Sequence, residues 1–205
     1  MGQDSPQTMQ PCIKGDNMDK HLARLAEIYK AIDSLYDAAM RHYNFSCEGC
    51  ADNCCVTKFY HHTNIEELYL SEGLKRLDED KKKEILSRAE DVVKIHNSSP
   101  DDVRVMCPLN ENGLCIVYEH RPMICRIHGV PYQMFKKNMS IEFGTGCYRF
   151  INEKLNENMQ YFMFNRTVFY VEMAKVEKEL RETLDITGDY KKTTAEMVVS
   201  ILNPN

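Results

Sequence analysis

Apolar residues recur at alternating steps of three and four along the first part of the chain, from Asp19 onward. This period matches the turn of an α-helix and leaves a narrow apolar seam on one face. The pattern therefore predicts a long amphipathic helix that ends at a cysteine-rich loop. The residues of the seam are Leu22, Leu25, Tyr29, Ile32, Tyr36, Ala39 and Tyr43.

Two further helices are predicted from capping residues in the next part of the chain. Thr63 or Asn64 can begin a helix that runs to about Leu77, and Asp78 can begin another that runs to about Asn97. The Asn-Ser-Ser-Pro-Asp-Asp segment that follows is typical of a break between elements.

Helical periodicity returns from about Phe150, and a last helix is predicted from about Tyr190 to Leu202. One apolar stripe is formed by Phe162, Phe169, Met173, Val176, Leu180 and Leu184. Aromatic residues at helical spacing more often belong to a core than to a ligand-binding face. We therefore expect the following residues to pack against the first helix: Tyr161, Phe162, Phe164, Phe169 and Tyr170.

Length and composition favour one mainly α domain. With 205 residues, of which 43% are apolar, the chain can form one ordinary hydrophobic core. Residues 1–16 are polar and are predicted to be a disordered arm, followed by a single domain over 17–205. Within that domain, segments 44–62 and 103–149 are rich in loop and turn residues, and we expect them to form a cysteine lobe beside a helical scaffold.

The charge pattern and the start of the chain limit the partners that we expect. The net charge of −5 comes from 31 acidic and 26 basic residues that are dispersed along the chain, so nucleic-acid binding is not expected. No apolar stretch approaches the ~20 residues of a membrane span. The first residues lack the features of a signal peptide. We therefore expect a cytoplasmic protein with no membrane partner.

Eight of the nine cysteines form one ordered series. An odd number of cysteines without a signal peptide argues against a disulfide framework, so thiols at these spacings are expected to bind metal. Cys12 lies in the predicted arm and is set aside. The eight that remain are Cys47, Cys50, Cys54, Cys55, Cys107, Cys115, Cys125 and Cys147.

Eight thiolates match the number that two four-ligand sites require. Cys54 and Cys55 are adjacent, and neighbouring side chains of an extended segment point to opposite sides. We infer that this pair contributes to two different metal centres and joins them into one lobe.

The combined motifs resemble a known family. They are C-x2-C-x3-C-C at Cys47, then Cys107-Pro108, Cys115-x-x-Tyr118, Arg121-Pro122-x-x-Cys125-Arg126 and a final Cys147. This order resembles cysteine-cluster proteins of the CxxCxxCC type, which are described as zinc- or iron-chelating domains. The resemblance implies that all eight cysteines of the series are metal ligands. It spans about half of the chain, and it departs from many members in the three residues between Cys50 and Cys54.

The cysteine motif is also similar to that of the flagellin lysine N-methylases, which are longer proteins. By analogy this similarity leaves an enzymatic role open. Tyr118, Glu119 and Tyr148 lie beside cysteines and could exchange protons, although packing or surface placement explains each of them more simply. The chain has no glycine-rich nucleotide loop, no Gly-x-Ser-x-Gly and no His-Glu-x-x-His.

The metal stays undecided between zinc and an iron–sulfur cluster such as [4Fe-4S]. Both tetrathiolate zinc and an oxidised [4Fe-4S] cluster with four thiolates carry about two negative charges. The compact three-thiol loop and Cys107-Pro108 slightly favour iron–sulfur, whereas paired short spacings around a long insert fit zinc. A mixed pair also remains open.

Other side chains were considered as partners of the metal. Arg121, Arg126, Arg104 and Lys58 are candidates to donate hydrogen bonds to sulfur. A ligand role is open, but less expected than a core or surface position, for His61, His62, His120 and His128.

Three functions are weighed from the sequence. The first is a metal-binding protein whose helices supply a surface for an unidentified protein partner. The second is a metal- or cluster-dependent enzyme of methyl transfer or redox chemistry. The third is a metal carrier or assembly factor.

Overall fold

The computed structural model describes residues 12–47, 54–99 and 102–204, and the side chains of residues 12–17 and 54 lie outside the description. This part of the chain is mainly α-helical, as the sequence predicts. Its helices are α1 (Cys12–Tyr43), α2 (Asn64–Lys75), α3 (Glu79–Ser98), α4 (Met123–Ile127), α5 (Tyr148–Lys154), α6 (Thr167–Leu184) and α7 (Thr194–Leu202). None of these helices has the length and apolar character that crossing a membrane requires.

The strands of the described residues are short and pair two by two. They are β1 (Tyr60–His61), β2 (Asn110–Glu111), β3 (Leu114–Cys115), β4 (Tyr132–Phe135), β5 (Ile141–Gly144) and β6 (Lys192–Thr193). The antiparallel pairs are β1 with β6, β2 with β3, and β4 with β5. The segment 103–149 is thus built from hairpins, turns and the short helix α4, as its glycines and prolines predict.

Two hydrophobic clusters form the core, and α2 contributes to both of them. The first cluster joins α1 to α6 and includes Leu25, Tyr29, Ile32, Ile65, Met173, Val176 and Leu180. The second joins α3 to α7 and includes Leu70, Leu74, Ile85, Ala89, Met197 and Val198. Helices outside the loop-rich segment therefore supply most of the buried apolar surface.

Both central helices begin where the capping residues predict. The Asp78 carboxylate accepts a hydrogen bond from the Lys81 backbone N–H at 2.8 Å and caps α3. At the start of α2, the Ile65 backbone N–H donates to Glu177 of α6 at 3.0 Å. Thr63 precedes α2, but its hydroxyl donates to Glu66 instead of accepting from the helix. The Glu177 carboxylate, which is distant in the sequence, therefore caps the start of α2.

The last helix begins later than the sequence predicts. The predicted start at Tyr190 is wrong, because the chain first pairs as β6 with β1 and enters α7 only at Thr194. Thr193 then caps the helix, since its hydroxyl accepts from the Glu196 N–H while the Glu196 carboxylate accepts from the Thr193 N–H.

The apolar stripe predicted from Phe162 to Leu184 is also shorter than expected. Phe162 does not lie on α6, which begins at Thr167. Backbone hydrogen bonds tie the preceding segment to β4, since Gln133 donates to the Phe164 carbonyl at 2.9 Å and Arg166 donates to the Gln133 carbonyl at 3.0 Å. These contacts hold residues 164–166 against β4, a position that the local periodicity does not reveal.

The aromatic residues divide between core and surface. Phe164 is fully buried in the first cluster, and Phe162 and Phe169 pack against the same cluster. Tyr161 is 57% exposed and Tyr170 is 36% exposed. The expectation of a core position is therefore wrong for both residues.

The N-terminal helix starts earlier than the seam of apolar residues suggests. α1 begins at Cys12 rather than near Asp19. Residues 1–11 of the predicted arm lie outside the described residues. The division into an arm at 1–16 and one domain over 17–205 therefore stays a prediction.

Candidate metal centre

Four cysteines from separate elements converge beside the second hydrophobic cluster, and we call them the first thiol group: Cys55, Cys107, Cys115 and Cys125. Cys55 lies in a short 3-10 helix, Cys115 in β3 and Cys125 in α4, while Cys107 precedes β2. The Cys107 backbone N–H donates to the Cys55 carbonyl at 2.8 Å. This bond holds the dense cysteine loop against the downstream hairpin.

The thiols of this group share one buried environment. Burial raises the pKa of Cys107 to about 12, and the Cys115 and Cys55 thiols add to the rise. Burial also raises the pKa of Cys115, with a contribution from Cys55. The pKa of Cys125 is well above its usual value because of burial and then because of Cys107, Cys115 and Cys55. Each of the four therefore lies within electrostatic reach of the other three.

Two more cysteines lie next to Gly129, which follows α4. Cys147 donates its backbone N–H to the Gly129 carbonyl at 3.0 Å. The Cys47 sulfur would lie 3.6 Å from a Cβ placed on Gly129. Cys47 and Cys147 are called the second thiol pair below. The Tyr36 hydroxyl lies 3.5 Å from the Cys47 sulfur, so α1 contacts this pair as well.

Three successive carbonyl groups, at the last residue of α4 and the two residues that follow it, are each held by a different part of the chain. The Arg166 guanidinium donates to the Ile127 carbonyl, and the Tyr36 hydroxyl donates to the His128 carbonyl at 2.7 Å. The Gly129 carbonyl accepts from Cys147. The segment 127–129 thus connects the helix that carries Cys125 to the second thiol pair.

Two arginines of the Arg-Pro-x-x-Cys-Arg motif form a buried network next to the first thiol group. Arg126 forms an ion pair with Asp33 of α1, donates to the Arg121 carbonyl at 2.9 Å and stacks on Tyr29. Arg121 also approaches Asp33, at 3.6 Å. Both guanidinium groups oppose the burial that raises the pKa of Cys115. Their donors point to oxygen, so the predicted hydrogen bonds from Arg121 and Arg126 to sulfur are not among the contacts of the described residues.

The four histidines weighed as ligands have other neighbours in the described structure. His61 is buried, with its Nε2 3.0 Å from the Thr194 hydroxyl. His120 and His128 contact aromatic rings, and His62 is exposed. Burial lowers the pKa of His61, His120 and His128, which favours neutral rings. A ligand role for any of these histidines stays a hypothesis.

His96 was not singled out from the sequence, although it lies close to the first thiol group. It lines a small cavity together with Cys55 and Cys107. Neither of its buried ring nitrogens has a hydrogen-bond partner among the described residues. Lys58 donates to the His96 carbonyl at 3.4 Å, and Arg104 is exposed. Only its distance along the chain from the cysteine motifs kept His96 out of the sequence analysis.

The described part of the chain does not contain a closed set of ligands. In residues 12–47, 54–99 and 102–204, no three His, Cys, Asp or Glu side chains are arranged to hold a metal ion. Cys50 lies outside the described residues, as does the side chain of Cys54. None of the six cysteines whose side chains are described is in a disulfide. Buried thiols are donors that suit zinc and iron–sulfur clusters, so the donor chemistry fits either group.

Replacing Gly129 by alanine is expected to destabilise the chain by about 2 kcal/mol or more. Gly129 has a φ of +117°, and an added Cβ would lie 2.9 Å from the Tyr36 hydroxyl. The strain of a positive φ costs about 1–2 kcal/mol, and displacement of Tyr36 adds to it. Chemical denaturation measures the loss.

Gly113→Ala is the matched control for this prediction, because Gly113 has a φ of +88° and no atom within 4 Å of an added Cβ. It should show only the cost of the backbone strain. Equal losses in the two variants would mean that the contact with Tyr36 is unimportant.

A separate cleft of about 910 Å³ lies between β1, α4 and α6. Two buried carboxylates, Glu66 and Glu177, line it together with Met123 and Ile124 of α4. Both carboxylates accept hydrogen bonds from backbone N–H groups, at Met123 and Ile65. No cysteine is among the residues that line this cleft. The described thiols are therefore not part of the wall of this cleft.

The comparisons with known proteins agree with the cysteine motifs. No curated protein and no solved structure matches the chain. The CxxCxxCC family model, "Putative zinc- or iron-chelating domain", matches residues 46–148, which is half of the 205 residues. This range includes both the first thiol group and the second thiol pair, and it ends before α6. The chain belongs to the CxxCxxCC family of zinc- or iron-chelating domains.

Proposed function

We propose that the chain is a metal-binding protein that holds two centres through eight thiolates. The first centre consists of the first thiol group, Cys55, Cys107, Cys115 and Cys125. The second consists of Cys47, Cys50, Cys54 and Cys147. The observation that carries the proposal is that every pair of the first thiol group interacts electrostatically although the four residues come from four separate segments.

The division of the eight thiolates rests on contacts of the two ends of the dense loop. Cys55 is bound through its backbone to Cys107, whereas Cys47 lies beside Gly129, whose carbonyl holds Cys147. The dense loop therefore begins at one centre and ends at the other. This supports the inference that the adjacent Cys54 and Cys55 serve different centres.

Without a metal, the thiols of the first group stay neutral. Their raised pKa values keep them protonated at neutral pH, so they supply neither charge nor strong hydrogen bonds to one another. Coordination replaces four weak donors by strong metal–sulfur bonds. Arg121 and Arg126 then lie near the thiolate charge that coordination creates.

Of the two metals, we favour an iron–sulfur cluster on the basis of the compact three-thiol loop and of Cys107-Pro108. Anaerobic purification followed by analysis of iron, acid-labile sulfide and zinc tests this choice. Coloured protein with iron and sulfide would support it. Colourless protein with about two zinc ions per chain would support the two centres and identify their metal as zinc. Protein that binds neither metal would refute the proposed function.

Cys54→Ser and Cys55→Ser are each expected to lose one metal centre, and the two variants should lose different ones. Cys54 and Cys55 lie in a 3-10 helix and not in the extended segment that the sequence analysis assumed, so the division rests on the contact of Cys55 with Cys107 and not on opposite side-chain directions. Metal content per chain measures the loss. The double variant tests whether Cys54 and Cys55 serve different centres, since it should then lose both centres.

Cys12→Ser serves as the control and should retain the full metal content, because Cys12 lies outside the family match. A double variant that loses no more metal than either single variant would contradict the division.

An enzyme is the second candidate, and the cleft beside α4 is the observation in its favour. The cleft could accommodate a small molecule, but no cysteine lines it. Direct chemistry at the thiolate centres would need another approach, so methyl transfer or redox catalysis ranks below stable metal binding. A carrier or assembly factor ranks lower still, because the cysteines of the first thiol group are only partly exposed. Rapid exchange of the bound metal with a chelator would reverse that order.

A further inference from the structure

Two buried carboxylates line the cleft between β1, α4 and α6, and neither forms an ion pair with a side chain among the described residues. Glu66 is 5% exposed and Glu177 is 7% exposed. Glutamates are rarely buried to this extent without an opposite charge, because desolvation of an unpaired charge is costly. The wall of the cleft therefore carries negative charge that the described side chains do not balance.

Neutral donors hold Glu66 in place. Its carboxylate accepts from the Thr63 hydroxyl at 2.6 Å, from the Met123 backbone N–H at 2.8 Å and from the Tyr29 hydroxyl at 3.4 Å. These bonds fix the carboxylate between the starts of α2 and α4. Because none of the three donors is charged, they orient the negative charge without cancelling it.

Glu177 is held at the same end of α2. Its carboxylate accepts from the Asn64 side-chain amide at 2.7 Å and from the Ile65 backbone N–H at 3.0 Å. The N-terminus of an α-helix supplies only about half of a positive charge. Glu177 therefore caps α2 and keeps part of its negative charge for another partner.

The basic side chains of the cleft already have other partners. Lys178 lies 3.8 Å from Glu182, and Arg181 donates to the Gly188 carbonyl. Asp185 adds another acid to the lining. Histidines apart, four carboxylates and two basic side chains line the cleft, so a positively charged ligand suits it better than an anion.

Other parts of the wall are apolar or aromatic. The side chains there include Phe59, Met123, Ile124, Tyr170 and Met173. The volume of about 910 Å³ lies within the range of about 300–1,000 Å³ that is usual for small-molecule sites. Aromatic rings and methionines suit the hydrocarbon part of such a ligand, and rings also attract cations.

We propose that this cleft binds a small organic ammonium ion, whose charge pairs with Glu66 and Glu177 and whose apolar part packs against the aromatic and methionine side chains. The site goes beyond metal binding and does not depend on it, since no cysteine lines the cleft.

Methyl NMR of the full chain labelled with ¹³C-methyl methionine tests the proposal, with 2-phenylethylamine as the probe. The signals of Met123 and Met173 should shift in a saturable way, and that of Met139, which is 89% exposed and does not line the cleft, should not. The matched probe is 2-phenylethanol, which has the same shape and no charge. It should bind at least about tenfold more weakly, since one charge pair of about 1.4 kcal/mol is worth that factor.

Glu66→Gln and Glu177→Gln remove one charge each and keep an oxygen that can accept from the helix N–H. Each should weaken binding of the amine by about tenfold and leave binding of the alcohol unchanged. Glu179→Gln is the control, because Glu179 lies on α6 but does not line the cleft. It should bind the amine as the wild type does.

Three outcomes would overturn the proposal. The first is that the amine causes no saturable shift at Met123 and Met173 up to millimolar concentration. The second is that the amine and the alcohol bind equally well to the wild-type chain. The third is that both glutamine variants fold and bind the amine with wild-type affinity. If neither variant folds, the comparison of amine and alcohol on the wild-type chain still decides.

Discussion

Removing the bound metal is expected to lower the free energy of unfolding by on the order of 10 kcal/mol per four-thiolate site at neutral pH. Most of the helical signal should nevertheless persist. The two hydrophobic clusters join α1 to α6 and α3 to α7, and these contacts do not depend on the thiols. The structural loss should instead concentrate in the 103–149 segment, which carries Cys107, Cys115, Cys125 and Cys147.

Denaturant unfolding of the loaded and the chelator-treated chain, each followed by far-ultraviolet circular dichroism, measures both effects. Hydrogen exchange then locates the segment that opens. Re-addition of metal is the control for irreversible damage and should restore the transition. Unfolding curves that coincide before and after chelation would show that the metal does not contribute to the fold.

The metal-free chain is expected to lose stability as the pH rises from about 9 to about 12. Burial raises the pKa of Cys107 from 9.0 to about 12, so the folded state keeps the proton after the unfolded state has released it. Above pH 9 the unfolded state therefore binds fewer protons, and stability falls with rising pH until Cys107 ionises in the folded state. The loss from Cys107 alone is up to roughly 4 kcal/mol, since one pKa unit corresponds to about 1.4 kcal/mol.

Urea unfolding of the metal-free chain at several pH values between 8 and 12 measures this dependence. Cys107→Ser is the matched control, because its hydroxyl does not ionise in this range while lysines and tyrosines still do. The difference between the two chains isolates Cys107, and a difference that does not change with pH would contradict the prediction. The loaded chain should respond at the opposite end of the scale, since protons compete with metal for the thiolates in acid.

Local signals predicted several helix boundaries correctly, and long-range contacts explain those that were missed. Asp78 begins α3 because its side chain bonds a backbone N–H three residues away. The start of the last helix was misplaced at Tyr190 because the pairing of β6 with β1 depends on residues more than a hundred positions earlier. Phe162 was assigned to a helix for a similar reason, since the bonds between Gln133 and the 164–166 segment are invisible to periodicity.

The candidate site could be predicted in composition but not in arrangement. The spacing of the cysteines and the family resemblance supplied the candidate ligands. The adjacency of Cys54 and Cys55 suggested that these two residues bind different centres. Which cysteines share a region became apparent only from the tertiary contacts of Cys55 and Cys47. The contact of Arg166 with Ile127 could not have been found from spacing, because it joins residues 39 positions apart in the chain.

If the chain holds the two proposed centres, the backbone segment 127–129 would make them interdependent in how they bind metal. Cys125 of the first group lies two residues before this segment, and the carbonyl groups within it are fixed by Arg166, Tyr36 and Cys147. A ligand that draws Cys125 into place thereby also orders the contacts of the second thiol pair. In that arrangement we expect cooperative loading: the first metal would lower the entropic cost of binding the second, and chains with both metals or none should outnumber chains with one.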